Sequence, residues 1–214
     1  MEKVTEHLYC TSPDFPFGDN TWKTCACLLC RKDGNLIVYS SSKFKEEETQ
    51  LRELGGVTHH YLNHRDEATG HSDWITETFD APLVCSEKDR EEISQKCIVG
   101  DTISKRTQIF SDFEAIPTPG HSTGSTCYLW EAPDARYLFT GDSIYLNNDK
   151  WQVYLAYGSL EDMLSSLEII AGLDFDVLVP GTYVGENRRM RTTPEKTRQN
   201  INEIISRIKN GESM

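Results

Sequence analysis

The 214-residue chain carries 34 acidic against 22 basic side chains, a formal charge of −12, and 37% hydrophobic residues. That apolar share suits one domain over 1–214, and the acidic balance repels phosphate backbones and anionic headgroups, which argues against nucleic acid and membrane as partners. The one basic run, RRMR at 188–191, reads as a solvated loop.

No apolar stretch approaches the ~18 residues of a membrane span, and the opening MEKVTEHLYC lacks the apolar stretch of a secretion signal. Seven cysteines, an odd number without disulfide-scaffold spacing, suit a reducing compartment. The expectation is a cytoplasmic protein whose partner is a small-molecule substrate; the oligomeric state is left open.

In chain order, residues 4–9, 22–30 and 35–39 read as strands, with a turn at KDGN between the last two. A helix is expected over 44–54, ending at Gly55 and Gly56, followed by a strand at 59–63. APLVCS (81–86) reads as a strand, with Ser86 and Asp89 opening a helix after it. The middle, 107–145, is strand-rich and contains TCYLW (126–130) and RYLFT (136–140). Leu160, Met163, Leu164, Leu167 and Ile170 fall at helical spacing behind a Ser159 cap, and DVLVP (176–180) is a buried strand. Thr193 and Pro194 open a final helix with an apolar stripe at Ile201, Ile204, Ile205 and Ile208. Helices follow strands in both halves, and each half also has strand-only stretches. Two packed sheets with helices outside suit that mixture better than one parallel sheet.

Four strands end in ligand-type or polar residues: YLNHRDE (61–67), IPTPGHSTGS (116–125), YLFTGDS (137–143) and VLVPGTY (177–183). Strand ends on one sheet edge converge, so His64, His121 and Asp142 are candidates to meet. Two imidazoles and a carboxylate make a first shell for zinc, iron or manganese. The Pro-Gly before His121 and the glycine before Asp142 allow turns that aim those side chains. The bland alternative for any one of these histidines is a hydrogen-bonded residue after a strand.

These segments resemble the metallo-β-lactamase-fold superfamily, in order over nearly the whole chain. TPGHSTGS (118–125) and LFTGDS (138–143) carry the resemblance most strongly. It implies an α+β fold, a four-layer αββα sandwich, with metals at one edge. The family's His-x-His-x-Asp-His motif corresponds here to His64-Arg65-Asp66-Glu67-Ala68-Thr69, and its late Pro-Gly-His to Pro180-Gly181-Thr182. Ala68, Thr69 and Thr182 thus stand where the family carries ligands of a second metal. The resemblance then implies one divalent ion, zinc first and iron or manganese otherwise, held by His64, His121 and Asp142, with Asp66 as a fourth ligand. The leading expectation is a hydrolase of a small ester, thioester or similar substrate at this atypical mononuclear site. Asp66 or Glu67 would act as base, and Tyr183 is a candidate to face substrate. The alternatives are a mononuclear non-haem iron oxygenase acting on thiols or persulfides, and a catalytically inactive binding protein that kept the fold.

Other conspicuous residues read more plainly. His71 is a candidate to fill the vacant second-histidine position, against a capping or surface role. His59 and His60 belong to the strand, with His60 on the face of Leu62 and His64. Cys25, Cys27 and Cys30 form a CxCxxC, but a continuous strand points the first two to one face and Cys30 to the other, which favours core thiols over a metal site.

Overall fold

Alternation along strands sorts the apolar side chains into two sets, and the computed structural model, which describes residues 1–211, shows where each set goes. In strands Cys27–Leu29, Leu36–Val38 and His59–Tyr61, one set (Cys27, Leu29, Leu36, Val38 and Tyr61) faces a second sheet. There Tyr61 meets Phe113 and Tyr128 at ring-centroid distances of 5.0 and 5.3 Å. The other set, with Leu28 and Ile37, packs beneath Leu51 of helix Glu48–Glu53 and Ile75 of helix Gly70–Phe79.

Among the described residues the first sheet has seven strands. It is antiparallel from Glu2–Lys3 to Leu36–Val38, then parallel through His59–Tyr61 and Leu83–Ser86 to Asp101–Ile103. The facing sheet has six, in which Arg136–Gly141 pairs antiparallel with Thr126–Glu131 and parallel with Val177–Pro180. Met163, Leu167 and Ile170 of helix Leu160–Ala171, with Ile201 and Ile204 of helix Pro194–Lys209, join the apolar cluster built on this sheet. The result is the expected αββα sandwich. A smaller sheet of Trp22–Thr24, Tyr145–Asn147, Lys150–Gln152 and Thr182–Val184 lies beside it. No described helix is long and apolar enough to cross a membrane.

Several local expectations change. Residues 22–30 are not one strand: Trp22–Thr24 pairs with Thr182–Val184, while Cys27–Leu29 joins the seven-stranded sheet. At the break, Ala26 donates its backbone N–H to Thr11 Oγ1 (3.1 Å) and Thr11 donates its own to Ala26 O (2.9 Å). The helix expected over 44–54 is shorter, Glu48–Glu53, with Phe44 buried in the preceding turn. Helix Gly70–Phe79 buries only Ser72 and Ile75, too few for a visible apolar stripe, so periodicity missed it. RRMR is not a free loop: Met190–Arg191 pairs with the strand Val177–Pro180, and half-buried Arg188 binds Glu2 and lies beside the Cys10 and Cys25 thiols. Ser159 and Thr193 cap their helices as expected, accepting from Asp162 N and Lys196 N.

His60 is fully buried and donates Nε2–H to the Tyr39 carbonyl (2.8 Å), holding Tyr39 at φ +74°, a left-handed conformation a side chain rarely adopts. Burial pushes the His60 pKa down to about 4, and the bond to the carbonyl only partly opposes it. Because this lies below the unfolded value of ~6.5, the unfolded chain takes up the proton first. The contribution is complete above that value and is lost as pH falls toward 4. Denaturant unfolding at pH 7 and pH 4.5 should show the wild type losing ~2–3 kcal/mol more than His60→Gln. Equal losses in the two proteins would exclude His60 as the cause.

Candidate metal centre

Strand His59–Tyr61 leads through Leu62 to Asn63, whose side chain ties the two sheets together. Asn63 Nδ2 donates to Thr126 O (2.7 Å) and Phe139 O (3.1 Å) on the facing sheet. The chain then makes a short 3-10 turn, Arg65–Glu67, which folds Glu67 back beneath His64. Glu67 accepts the Asn63 backbone N–H through Oε2 (2.9 Å) and His64 Nδ1–H through Oε1 (2.7 Å). His64 Nε2 is thereby left free on the opposite side of the ring. Gly141 is required here, since its φ is +51° and a Cβ would sit 2.4 Å from the Asn63 Cβ.

His121 is oriented in the same manner. Its Nδ1–H donates to Tyr154 O (2.9 Å), which leaves Nε2 on the opposite side of the ring, as in His64. The His64 and His121 rings stand 4.6 Å apart at 87°, and Asp142 Oδ2 lies 3.6 Å from His64 Nε2. One ligand atom from each of His64, His121 and Asp142 falls within 4.8 Å of the others. His64 Nε2, His121 Nε2 and Asp142 Oδ1 are buried without a hydrogen-bond partner. Three orphaned buried polar atoms pointing at one place are costly unless something binds there.

The local field favours a cation. Burial opposes a charged His64, but Glu67, Asp142 and Asp66 outweigh it and raise its pKa to about 9. Burial pushes the Glu67 carboxyl up to about 7, against the pull of His64.

A second set of bonds brings the two histidine loops together. Asp89, fully buried, accepts the Arg65 backbone N–H (3.1 Å) and the Ser122 hydroxyl (2.8 Å) through Oδ2. The Arg65 guanidinium closes on Asp89 Oδ1 through Nε (3.0 Å) and NH2 (2.5 Å), and also binds Glu92 and Thr123. Arg65 follows His64 and Ser122 follows His121, so one carboxylate fixes the spacing of both imidazoles. The sequence reading placed Asp89 in a helix opening; Ser86 does accept from Lys88 N there, while Asp89 faces the loops instead.

Asp66 lies at the open side, 42% exposed, with Oδ2 3.7 Å from His121 Nε2. The adjacent His121 ring is the chief cause that holds the Asp66 carboxyl below the usual range, with His64 and Lys96 adding to it against the effect of burial. It falls outside the set of mutually close ligand atoms. Two expected catalytic residues are displaced. Glu67 is buried behind His64, on the side away from the ligand nitrogen, so its geometry serves positioning and not proton transfer at the open face. Tyr183 is buried in the core with the Lys23 ammonium 5.9 Å from its ring centre, and does not line the cavity. Tyr39 stands there instead, its ring 6.4 Å from His64 and filling the space a side chain on Gly181 would need.

The positions of the absent second-metal ligands are occupied by other groups. Ala68 is buried against Leu62 and Cys85, Thr69 Oγ1 lies 3.1 Å from Ser40 Oγ, and Thr182 sits beside Tyr39. His71 borders a neighbouring cleft with Ser40 and Asp66 and is not among the converging ligands. Cys25 and Cys27 meet Cys10, all buried, with the three Sγ atoms within 4.8 Å of one another; Cys30 lies outside the group.

Above the ligands opens a cavity of about 720 Å³. Asp66, His121 and Asp142 form its floor, and aromatic side chains, among them Trp22, Tyr145, Tyr154 and Tyr157, form much of its wall.

Residues 50–182 match the family model described as "Metallo-beta-lactamase superfamily". A hydroxyacylglutathione hydrolase from Marinomonas sp. (strain MWYL1) is 28% identical over 127 residues, covering 59% of this chain and 45% of that protein. The chain thus spans less than half the length of this relative. Among solved structures, a metallo-β-lactamase from Hirschia baltica superposes with a TM-score of 0.73 at 12% identity, over 95% of each chain. A metallo-β-lactamase from Pontibacter korlensis gives 0.71 at 14% identity, over 94% of this chain and 97% of that one. A metallo-β-lactamase family protein from Thermus thermophilus gives 0.69 at 16%, over 97% and 81%. At these identities the solved structures establish the fold alone.

If Asp89 spaces the two histidine loops, Asp89→Ala leaves the largely buried Arg65 with Glu92 alone as carboxylate partner and should destabilise the protein by ~3 kcal/mol in denaturant unfolding. The refolded variant should also bind zinc about 10- to 100-fold more weakly. Unchanged zinc affinity would show that the histidines hold their spacing without Asp89.

Proposed function

Since the chain belongs to the metallo-β-lactamase superfamily, we propose that it is a metal-dependent hydrolase working at one metal ion, zinc first, with iron or manganese as the other candidates. The observation that carries the reading is the convergence of the unpartnered His64 Nε2, His121 Nε2 and Asp142 carboxylate. Two imidazoles and a carboxylate suit a divalent ion with open positions, the ion displacing the proton that acidic neighbours favour on His64, and Asp66 stands beside them on the exposed side. Bound there, the ion supplies Lewis acidity toward a carbonyl and toward water.

The chain's own residues do the rest. Glu67 and the Tyr154 carbonyl hold the two imidazoles in the tautomer that presents Nε2. Asp66, ionised and open to the cavity, is the group positioned to take a proton from an attacking water. A substrate seated against the aromatic walls would displace water from the floor, which would strengthen electrostatic interactions there. The name of the Marinomonas relative supports an ester or thioester as the bond cleaved. The seven unbridged cysteines support a reducing, cytoplasmic setting.

A second reading rests on the same donors. Two histidines and one carboxylate with open positions also suit a non-haem iron oxygenase acting on thiols or persulfides. Protein purified without added metal should contain about one equivalent of metal per chain. Zinc with thioester hydrolysis supports the first reading; iron with oxygen uptake on thiols supports the second. His121→Ala should lose both the metal and the activity. Wild-type protein without metal, together with no loss of metal affinity in His121→Ala, would sink both.

A further inference from the structure

The walls and charges of the cavity point to the kind of substrate it admits. Phe17 and Trp22 meet edge to face at 6.2 Å and 87°, and Trp22 leans on Tyr145 at 5.4 Å. Across the floor, Tyr154 stands 5.9 Å from the His121 ring. Phe17 and Tyr154 are 71% and 59% exposed, so large apolar surfaces on both sides of the cavity face water. A planar apolar group between them would cover that surface and stack on the rings.

The charged lining carries one sign. Asp19, Asp66 and Asp142 contribute carboxylates, and among the described residues no lysine or arginine lines the cavity. The neighbouring cations are engaged elsewhere. The Arg65 guanidinium lies 5.5 Å from the Tyr157 ring centre and is held by Asp89 and Glu92. Lys23, next to Trp22, donates to Gly185 O and lies near the Tyr183 ring. A divalent ion on the floor would meet two carboxylates, Asp66 and Asp142, leaving that group near neutrality. A substrate carboxylate set against these walls, away from the ion, would give up hydration with no lysine or arginine to receive it.

We propose that this cavity selects neutral, aryl-bearing substrates and discriminates against those carrying a carboxylate. The inference rests on the cavity being the substrate site of the proposed hydrolase, but its test does not require turnover. Calorimetric titration of the intact metal-free protein, in which no ion can take the carboxylate, with 2-naphthamide and its anionic counterpart 2-naphthoate reads the preference directly. The amide should bind at least about ten-fold more tightly. Phe17→Ala, a change at an exposed ring that leaves the core intact, should weaken amide binding by at least about five-fold, as should Trp22→Ala. Naphthoate binding as tightly as the amide would overturn the proposal, as would wild-type affinity in both variants. Amide-selective binding without turnover of any ester or thioester would uphold the selectivity and remove the hydrolase reading alone.

Discussion

Asp89 contributes no metal-ligating atom, yet the geometry of the centre depends on it. Its carboxylate is fully buried and takes hydrogen bonds from the loop after His64, through the Arg65 backbone and guanidinium, and from the loop after His121, through Ser122. Those loops belong to opposite sheets of the sandwich, and nothing in the covalent chain fixes their separation. A buried charge is tolerated only when its lone pairs are filled, so the folded state must bring both loops to it. Asn63 performs a similar task one layer deeper, joining the ends of Thr126–Glu131 and Arg136–Gly141 to the strand that carries His64. Two polar side chains inside an apolar sandwich thereby convert packing of two sheets into the placement of two imidazoles.

The convergence of His64, His121 and Asp142 was legible in the sequence because each follows an apolar strand, and because glycine precedes His121 and Asp142. The groups that orient them were not. Glu67 reads as a candidate base from its acidity alone; only the turn at Arg65–Glu67 shows that it folds behind the ring. Tyr183 stands in the motif position nearest a missing ligand, but strand alternation turns its ring into the core. Tyr39, far earlier in the chain, takes the place beside Gly181 through its left-handed backbone. The alternation of strand-only and helix-following stretches suggested two packed sheets, and the resemblance carried by TPGHSTGS and LFTGDS implied the four-layer sandwich. The break at Cys25–Ala26 was not legible, because the run is uniformly strand-forming and the division between two sheets is a tertiary effect.

The departures from the family motif have a consistent structural outcome. Where the resemblance places ligands of a second metal, the chain has Ala68 in an apolar cluster, Thr69 against Ser40 and Thr182 beside Tyr39. The first-metal set, in contrast, keeps the carboxylate and carbonyl that orient its imidazoles. The same reduction leaves a floor of His121, Asp66 and Asp142 beneath aromatic walls, which is the basis for expecting an apolar, uncharged group above it.

The central claim is one metal, at one place, on three named residues. Anomalous diffraction from crystals of the zinc-loaded protein tests it most directly. The account predicts a single peak bounded by His64 Nε2, His121 Nε2 and the Asp142 carboxylate. Two peaks at that edge of the sandwich would contradict it, as would a single peak at the Cys10, Cys25 and Cys27 thiols or no peak at all.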